Sequence, residues 1–224
     1  MSFIAPTAPG ATQNHAPATR GFIYNHTMLR VKDPAASLDF YTRILGMTLL
    51  RKSDYEGGKF SLYFLAMLRG DEVIPEEEEA RRAWIARQSG ILELTHNWGT
   101  ETAPDFHYHN GNREPRGYGH ICISVPDFAA AIAWFDQNRV PYQKRPEDGT
   151  MRHIAFIKDP DDYWVEIIKG LFTYTFPATL YVAHLQFKCN SYKKSIHKRY
   201  CKKHQNLAGD RKWIPADIKS RRNR

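Results

Sequence analysis

The sequence predicts an α+β protein made of two copies of one strand–helix–three-strand module, and three observations carry that prediction. The first is the run Asp159-Pro160-Asp161-Asp162-Tyr163-Trp164-Val165-Glu166-Ile167-Ile168, where a turn signal opens an apolar strand holding one carboxylate. Period-two alternation puts Tyr163, Val165 and Ile167 on one face and Trp164, Glu166 and Ile168 on the other. A carboxylate between Trp and Ile on a buried strand is costly unless a cation neutralises it. A metal ion would serve, and so would a buried Arg or Lys. The second observation is a repeat. Laying His26 over His120, an offset of 94 with no gap, sets Val31 on Val125, Asp33 on Asp127, Ala35 on Ala129 and Ala36 on Ala130. Leu38, Phe40 and Tyr41 then meet Ile132, Trp134 and Phe135. The third is that each half begins on a histidine strand and ends on a glutamate strand. A repeat of this kind implies paired modules that bury one shared core.

The elements follow in order. Residues 1–22 are rich in Ala, Pro and Thr without periodicity and read as a disordered arm. Asn25 to Val31 is a strand, and Asp33-Pro34 caps a helix expected from Ala35 to Leu45 and ended by Gly46. Met47–Arg51 and Lys59–Met67 read as strands, the second alternating Phe60, Leu62 and Phe64. Residues 69–89 are charged, and Glu76–Glu79 reads as a solvated helix start. Gly90 to His96 is a strand with Glu93 in its middle, and residues 97–118 are a polar loop. Gly119 to Val125 is a strand opening on His120, and Asp127 caps a second helix. Pro141–Arg145 and Arg152–Ile157 are strands, with Asp148-Gly149 between them as a two-residue hairpin signal. The domain layout is therefore an arm at 1–22, a folded region at 23–168 with modules 23–98 and 116–168, and a tail at 169–224.

Bulk composition narrows the class. The chain has 224 residues, 42% of them hydrophobic, and no run of about 18 apolar residues that would span a membrane. No basic segment followed by an apolar core opens the chain, so a secretory signal is not expected, although residues 1–25 hold no acid and only Arg20, which leaves organelle import open. Three cysteines, Cys122, Cys189 and Cys201, are an odd and sparse set that points to a reducing, cytoplasmic compartment. The net charge of +8 is unevenly spread. Residues 169–224 hold 14 Lys/Arg and 2 Asp/Glu, leaving 18 and 22 in the body, which is mildly acidic.

His26, Glu93, His120 and Glu166 occupy equivalent places in the two copies. A lone strand histidine is more often a core or surface residue than a ligand, but two His and two Glu at matched positions are harder to explain that way. Mixed imidazole and carboxylate donors suit borderline divalent ions such as zinc or nickel, with positions left for water or substrate. If a pseudo-twofold axis relates the modules, the four side chains converge, and the ion offsets the burial of Glu166.

Several stretches together carry a family resemblance. They are His26-Thr27-Met28-Leu29-Arg30-Val31-Lys32-Asp33-Pro34, Ser37-Leu38-Asp39-Phe40-Tyr41, Leu92-Glu93-Leu94-Thr95-His96-Asn97-Trp98-Gly99, Arg116-Gly117-Tyr118-Gly119-His120-Ile121, and Asp159-Pro160-Asp161 with Tyr163-Trp164-Val165-Glu166. Collinear from about residue 23 to 168, they resemble glyoxalase I, lactoylglutathione lyase. The resemblance implies the vicinal oxygen chelate fold of paired βαβββ modules. It implies isomerisation of the methylglyoxal–glutathione hemithioacetal to S-lactoylglutathione through an enediolate, in methylglyoxal detoxification. It makes His26, Glu93, His120 and Glu166 the metal ligands, Glu166 the principal base and Glu93 a partner base on the other face. Glutathione would be held by Arg30, Asn97, Arg116 and Lys144, with Met151 on a flap and Phe60, Leu62 and Phe64 lining an apolar pocket. Each cation alone would be a solvated surface charge, and the three apolar residues alone ordinary core. In single-copy members the active site lies between subunits, so a homodimer is expected, with one ion per site. The charged 69–89 segment resembles that of zinc-type members, which makes zinc the expected ion and nickel the alternative. Two departures stand out: Thr150 replaces a frequent lysine, and Asp162 replaces the usual turn glycine.

Other functions remain to be weighed. A non-catalytic small-molecule binder of the same fold would need no complete ligand set, and a ring-cleaving dioxygenase would use two His and one Glu on iron. The basic tail, with Tyr192, Tyr200 and Trp213, could bind nucleic acid or anionic lipid. Cys189, His197, Cys201 and His204 do not have standard zinc-finger spacing. The abrupt composition break at 169 also fits a solvated tail or read-through of non-coding sequence.

Overall fold

The computed structural model describes residues 8–70 and 72–170, and within them eight strands form two four-stranded sheets. The first sheet comprises β1 (His26–Val31), β2 (Thr48–Tyr55), β3 (Phe60–Ala66) and β4 (Ile91–Asn97) in the order β1-β4-β3-β2. The second comprises β5 (His120–Val125), β6 (Tyr142–Lys144), β7 (Ile154–Lys158) and β8 (Trp164–Lys169) in the order β5-β8-β7-β6. First and last strands pair in parallel in each sheet, and the others pair antiparallel. Helices α1 (Pro34–Asp39), α2 (Glu78–Ile85) and α3 (Phe128–Gln137) complete the modules. The expected α+β fold of two βαβββ modules is present. None of the described helices is long and apolar enough to cross a membrane.

Alternation decides which sheet face is buried. Leu29, Val31, Tyr63, Leu65, Leu92 and Leu94 of the first sheet share one core with Ile123, Ala155, Ile157, Tyr163, Val165 and Ile167 of the second. Phe40, Tyr41, Ile44 and Phe135 fill the space between them. Val165 and Ile167 are fully buried, while Trp164, Glu166 and Ile168 are half-buried on the opposite face. Hydrophobic burial thus turns the inner faces toward each other and leaves both histidine-and-glutamate faces outward.

Polar bolts join the modules. Tyr41 donates its hydroxyl to Asp159 Oδ2 at 2.8 Å, and the Lys32 amide donates to Asp161 Oδ1 at 3.0 Å. Trp134 Nε1 donates to the Ile44 carbonyl at 2.9 Å. Burial pushes the Asp159 carboxyl up to about 7, against the pull of the donors from Tyr41, Tyr163 and Asp161.

Asp162 adopts a left-handed conformation at φ 68°, the backbone a glycine would favour. Its turn is held by Asn110, whose Nδ2 donates to the Asp162 carbonyl at 3.1 Å and to its Oδ2 at 2.8 Å. Although part-burial opposes it, bonds from Lys158 and Arg113 hold this carboxyl below its usual range. Gly111, at φ 82°, is required in the same loop, since a Cβ there would stand 2.0 Å from the Tyr118 carbonyl oxygen.

Several boundaries differ from expectation. The first helix is α-helical only to Asp39, and Phe40–Ile44 is a π-helical turn in which the Leu45 amide donates to the Phe40 carbonyl at 3.1 Å. The Thr42 hydroxyl takes the Leu38 carbonyl at 2.6 Å, the acceptor its own amide would use, and the turn widens. Strand β2 runs on to Tyr55, four residues past its expected end at Arg51. The expected two-residue hairpin is absent, because residues 145–153 separate β6 from β7. The Arg145 amide bonds Asp148 Oδ2 at 2.8 Å and the Asp148 amide bonds the Arg145 carbonyl at 3.1 Å, closing a local turn that ends the ladder early. In the arm, residues 8–22 are exposed and hold one 3-10 turn, Pro17–Thr19. The expectations for residues 171–224, including Cys189, His197, Cys201 and His204, lie outside the described residues.

Candidate metal centre

The outward face of each sheet carries the same constellation in the same register. His26 aligns with Ile91, two residues before Glu93, and His120 aligns with Trp164, two before Glu166. His26 Nε2 stands 3.1 Å from Glu93 Oε2, and His120 Nε2 stands 3.3 Å from Glu166 Oε2. Across the antiparallel ladder, Phe64 faces Glu93 and Phe156 faces Glu166. Each phenyl ring meets the histidine edge to face, at 6.1 Å in the first sheet and 5.1 Å in the second.

Within one chain the four donors stay as two pairs. Among the described residues, no three of His, Cys, Asp and Glu gather into a metal-holding group. The convergence expected of four ligands is therefore not completed by a single chain. The reason is the shared core, which consumes the inner faces and turns the two pairs outward.

Each pair fits a divalent ion. Two donors held about 2.1 Å from one ion stand roughly 3.0–3.4 Å apart between right-angle and tetrahedral geometry, which covers both pairs. The first pair gives a sharper test. Asn25 Nδ2 donates to the carbonyls of Ile85 at 2.8 Å and Gln88 at 2.9 Å, which fixes which end of the amide is oxygen. Asn25 Oδ1 then lies 2.8 Å from His26 Nδ1, so Nδ1 carries a hydrogen and donates it to the amide oxygen. With Nδ1–H directed at Asn25, Nε2 is the ring nitrogen presented to the Glu93 carboxylate, and a metal ion or a proton shared between them satisfies that contact.

Expected glutathione contacts fall into two groups. Arg30 Nη1 donates to Asn97 Oδ1 at 3.0 Å at the far end of the β1–β4 pair. Phe60, Leu62 and Phe64 lie half-buried on the outward face of β3, aligned with Asn97, Thr95 and Glu93 respectively, so an apolar row links the Arg30–Asn97 pair to the metal donors. Arg116 is exposed and paired with Glu114 at 2.9 Å. Lys144 Nζ donates to the carbonyls of Arg145 at 3.1 Å, Met151 at 2.8 Å and Ile154 at 3.2 Å. Its three donors are thus spent on tying the 145–153 loop, on which Met151 is half exposed. No hydrogen bond links Arg30 or Asn97 to Arg116 or Lys144 among the described residues.

Sequence reasoning missed Phe156, Asn25 and the neighbour of Glu166. Phe156 matches Phe64 only once the ladders are aligned on the glutamates, because loops of unequal length hide it in the gapless repeat. Cys122 sits opposite Glu166 on β5, and burial together with that carboxylate pushes its thiol up to about 11. His96, next to the Glu93 ladder, is buried facing away and bonds Glu101 at 2.7 Å.

Residues 23–167 match the model of the Glyoxalase/Bleomycin resistance protein/Dioxygenase superfamily, and the chain belongs to it. Within that superfamily its similarity is to lactoylglutathione lyases. The chain is 57% identical to the lactoylglutathione lyase of Pseudomonas putida over 163 residues, 73% of this chain and 94% of that one. It is 55% identical to that of Pseudomonas aeruginosa over 170 residues, 76% of this chain and 95% of the relative. Glyoxalase I from Zea mays superposes with a TM-score of 0.50 at 26% identity, over 67% of this chain and 46% of the maize chain.

Proposed function

We infer that the chain is a metal-dependent lactoylglutathione lyase, converting the methylglyoxal–glutathione hemithioacetal to S-lactoylglutathione, a detoxifying activity. The observation that carries this reading is the duplicated His–Glu pair in matched register, His26–Glu93 and His120–Glu166. Relatives at 57% and 55% identity that span nearly their whole length support it.

His26, Glu93, His120 and Glu166 would hold the ion, zinc in the first instance and nickel as the alternative. The bound ion supplies Lewis acidity toward the two adjacent oxygens of the substrate. Glu166 removes the C1 proton and returns it at C2, and Glu93 serves from the opposite side. Phe156 and Trp164, whose rings meet at 5.8 Å, wall the Glu166 side, and Phe64 walls the Glu93 side. Arg30 and Asn97 bind a glutathione carboxylate and amide, and Arg116 offers a second cation. Lys144 acts by holding the Met151 loop.

The working unit is a homodimer, with module 23–98 of one subunit facing module 116–168 of the other. Support comes from the outward placement of both pairs and from the apolar surface around them, including Met28, which is 42% exposed. The odd, sparse cysteines and the use of glutathione fit a cytoplasmic setting. The test is an ultraviolet assay of thioester formation from methylglyoxal and glutathione. Activity should vanish with chelator and return with zinc. An inactive metal-loaded dimer defeats the reading.

A further inference from the structure

The first metal pair is braced from outside, and the brace is a single side chain. Asn25 spends three hydrogen-bonding groups: Nδ2 donates to Ile85 O at 2.8 Å and to Gln88 O at 2.9 Å, and Oδ1 accepts from His26 Nδ1 at 2.8 Å. Ile85 ends α2 and Gln88 follows it, so both carbonyls belong to the helix C-terminus, where the Ile85 carbonyl also accepts from the Gln88 amide at 3.1 Å. Asn25 also lends its carbonyl to the Ile91 amide at 3.0 Å, which fixes the start of β1 against β4. The charged 69–89 segment is thereby hydrogen-bonded to the site through Asn25, beside the apolar packing of Ile85 and Phe64 in one cluster.

Resting on the metal-site reading above, we propose that Asn25 is a positioning residue that locks His26 in its Nδ1–H tautomer and ring orientation, presenting Nε2 to the ion, with α2 as its anchor. The second pair has no equivalent. The residue before His120 is Gly119, which has no side chain, and no ring hydrogen bond to His120 Nδ1 occurs among the described residues. Among the described residues, His26 is therefore held by a hydrogen bond to its Nδ1 and His120 is not. Partners of this kind, one shell beyond a ligand, typically change metal affinity about 10–100-fold when removed.

The test uses the purified full chain. Apo protein with ¹⁵N-labelled histidine is examined by long-range ¹H–¹⁵N correlation, which reads the tautomer of each imidazole, and zinc affinity is measured by competition with a chromophoric chelator. Wild type should show His26 as Nδ1–H alone. Asn25→Ala should give His26 a mixed tautomer, leave the His120 signals unmoved and weaken zinc binding at least tenfold. Asn25→Asp keeps an acceptor for Nδ1–H but sets oxygen against the Ile85 and Gln88 carbonyls. It should keep the tautomer and most of the zinc affinity while melting at lower temperature. That variant separates orientation from fold integrity. A wild-type His26 found as the Nε2–H tautomer overturns the proposal, as does an Asn25→Ala chain that binds zinc within twofold of wild type. Wild type that binds no zinc at all defeats the metal-site reading itself, and the positioning role with it.

Discussion

The two modules share a register but not their surroundings. In the first, 24 residues between β3 and β4 include α2, and the His26–Glu93 pair is tied to that insertion through Asn25. In the second, β7 passes to β8 through the tight Asp159–Asp162 turn, and the His120–Glu166 pair is walled by Phe156 and Trp164 and faced by the Cys122 thiol. The difference teaches a division of labour. The first pair is tied to a neighbouring helix, and the second sets its carboxylate among aromatic side chains, the setting in which the proposed function has Glu166 move a proton.

The sharpest break in that comparison comes from paired carboxamides. Glu166→Gln should lower kcat by about 10²–10⁴-fold with circular dichroism unchanged, the range a positioned acid–base group contributes. Glu93→Gln should lose less in kcat and more in zinc affinity. Equal losses in both quantities would remove the asymmetry between the halves.

Subunit mixing probes where the halves meet. A His26→Ala chain and a Glu166→Gln chain are each expected to be nearly inactive. If module 23–98 of one subunit faces module 116–168 of the other, mixed dimers carry one intact site, and random assortment restores about a quarter of wild-type activity. A mixture as inactive as its components shows that both halves of a site come from one chain.

Substrate contacts on the two modules should be felt in KM. Arg30→Ala should raise KM for the hemithioacetal about tenfold with kcat little changed, as expected for loss of one charge-assisted hydrogen bond. Arg116→Ala, on an exposed side chain, should have a smaller effect in the same direction. Lys144→Ala should lower melting temperature as well, because its ammonium holds two loop carbonyls and the Ile154 carbonyl at the start of β7.

A last effect, on stability and not on turnover, concerns the bolt between modules. Asp159 titrates near 7 in the fold against 3.8 for the free group, so the native state binds the proton more tightly. Its stabilising contribution is complete below about pH 4 and is lost as pH rises through about 7, with a slope of at most about 1.4 kcal/mol per pH unit. Urea unfolding across pH 4–8 should show that slope up to about pH 7 and a plateau above it, and Asp159→Asn should flatten it. An identical slope in the variant would assign the pH dependence to other groups.

Much of this was legible from residues. The gapless offset of 94 between His26 and His120 exposed the repeat, because β1 and β5 have the same length and Asp33 and Asp127 cap the following helices at the same distance from their histidines. Asp33 and Asp127 could be read as caps, and both accept amide hydrogen bonds in the first turns of α1 and α3. Loops obscured the rest. Phe156 escaped notice because it lies 36 residues after His120 while Phe64 lies 38 after His26, so the gapless offset sets Phe64 on Lys158 instead. Asn25 escaped because its partners lie 60 and 63 residues away. Lys144 could be read as a free cation only while its loop was unknown.

The sequence by itself determined which donors exist and which face of each strand carries them, because side-chain alternation and helix capping are local properties of the chain. It determined that Asp162 could replace a turn glycine, since a short polar side chain tolerates left-handed backbone. Only the tertiary structure decided that the two His–Glu pairs face outward and stay apart within one chain. That outcome depends on which sheet faces the shared core consumes, and burial of apolar area is a property of the whole packing rather than of any strand. The same is true of the π-helical turn, of the Lys144 clamp and of the Asn25 brace, where hydrogen-bonding partners are chosen by proximity that no stretch of sequence encodes alone.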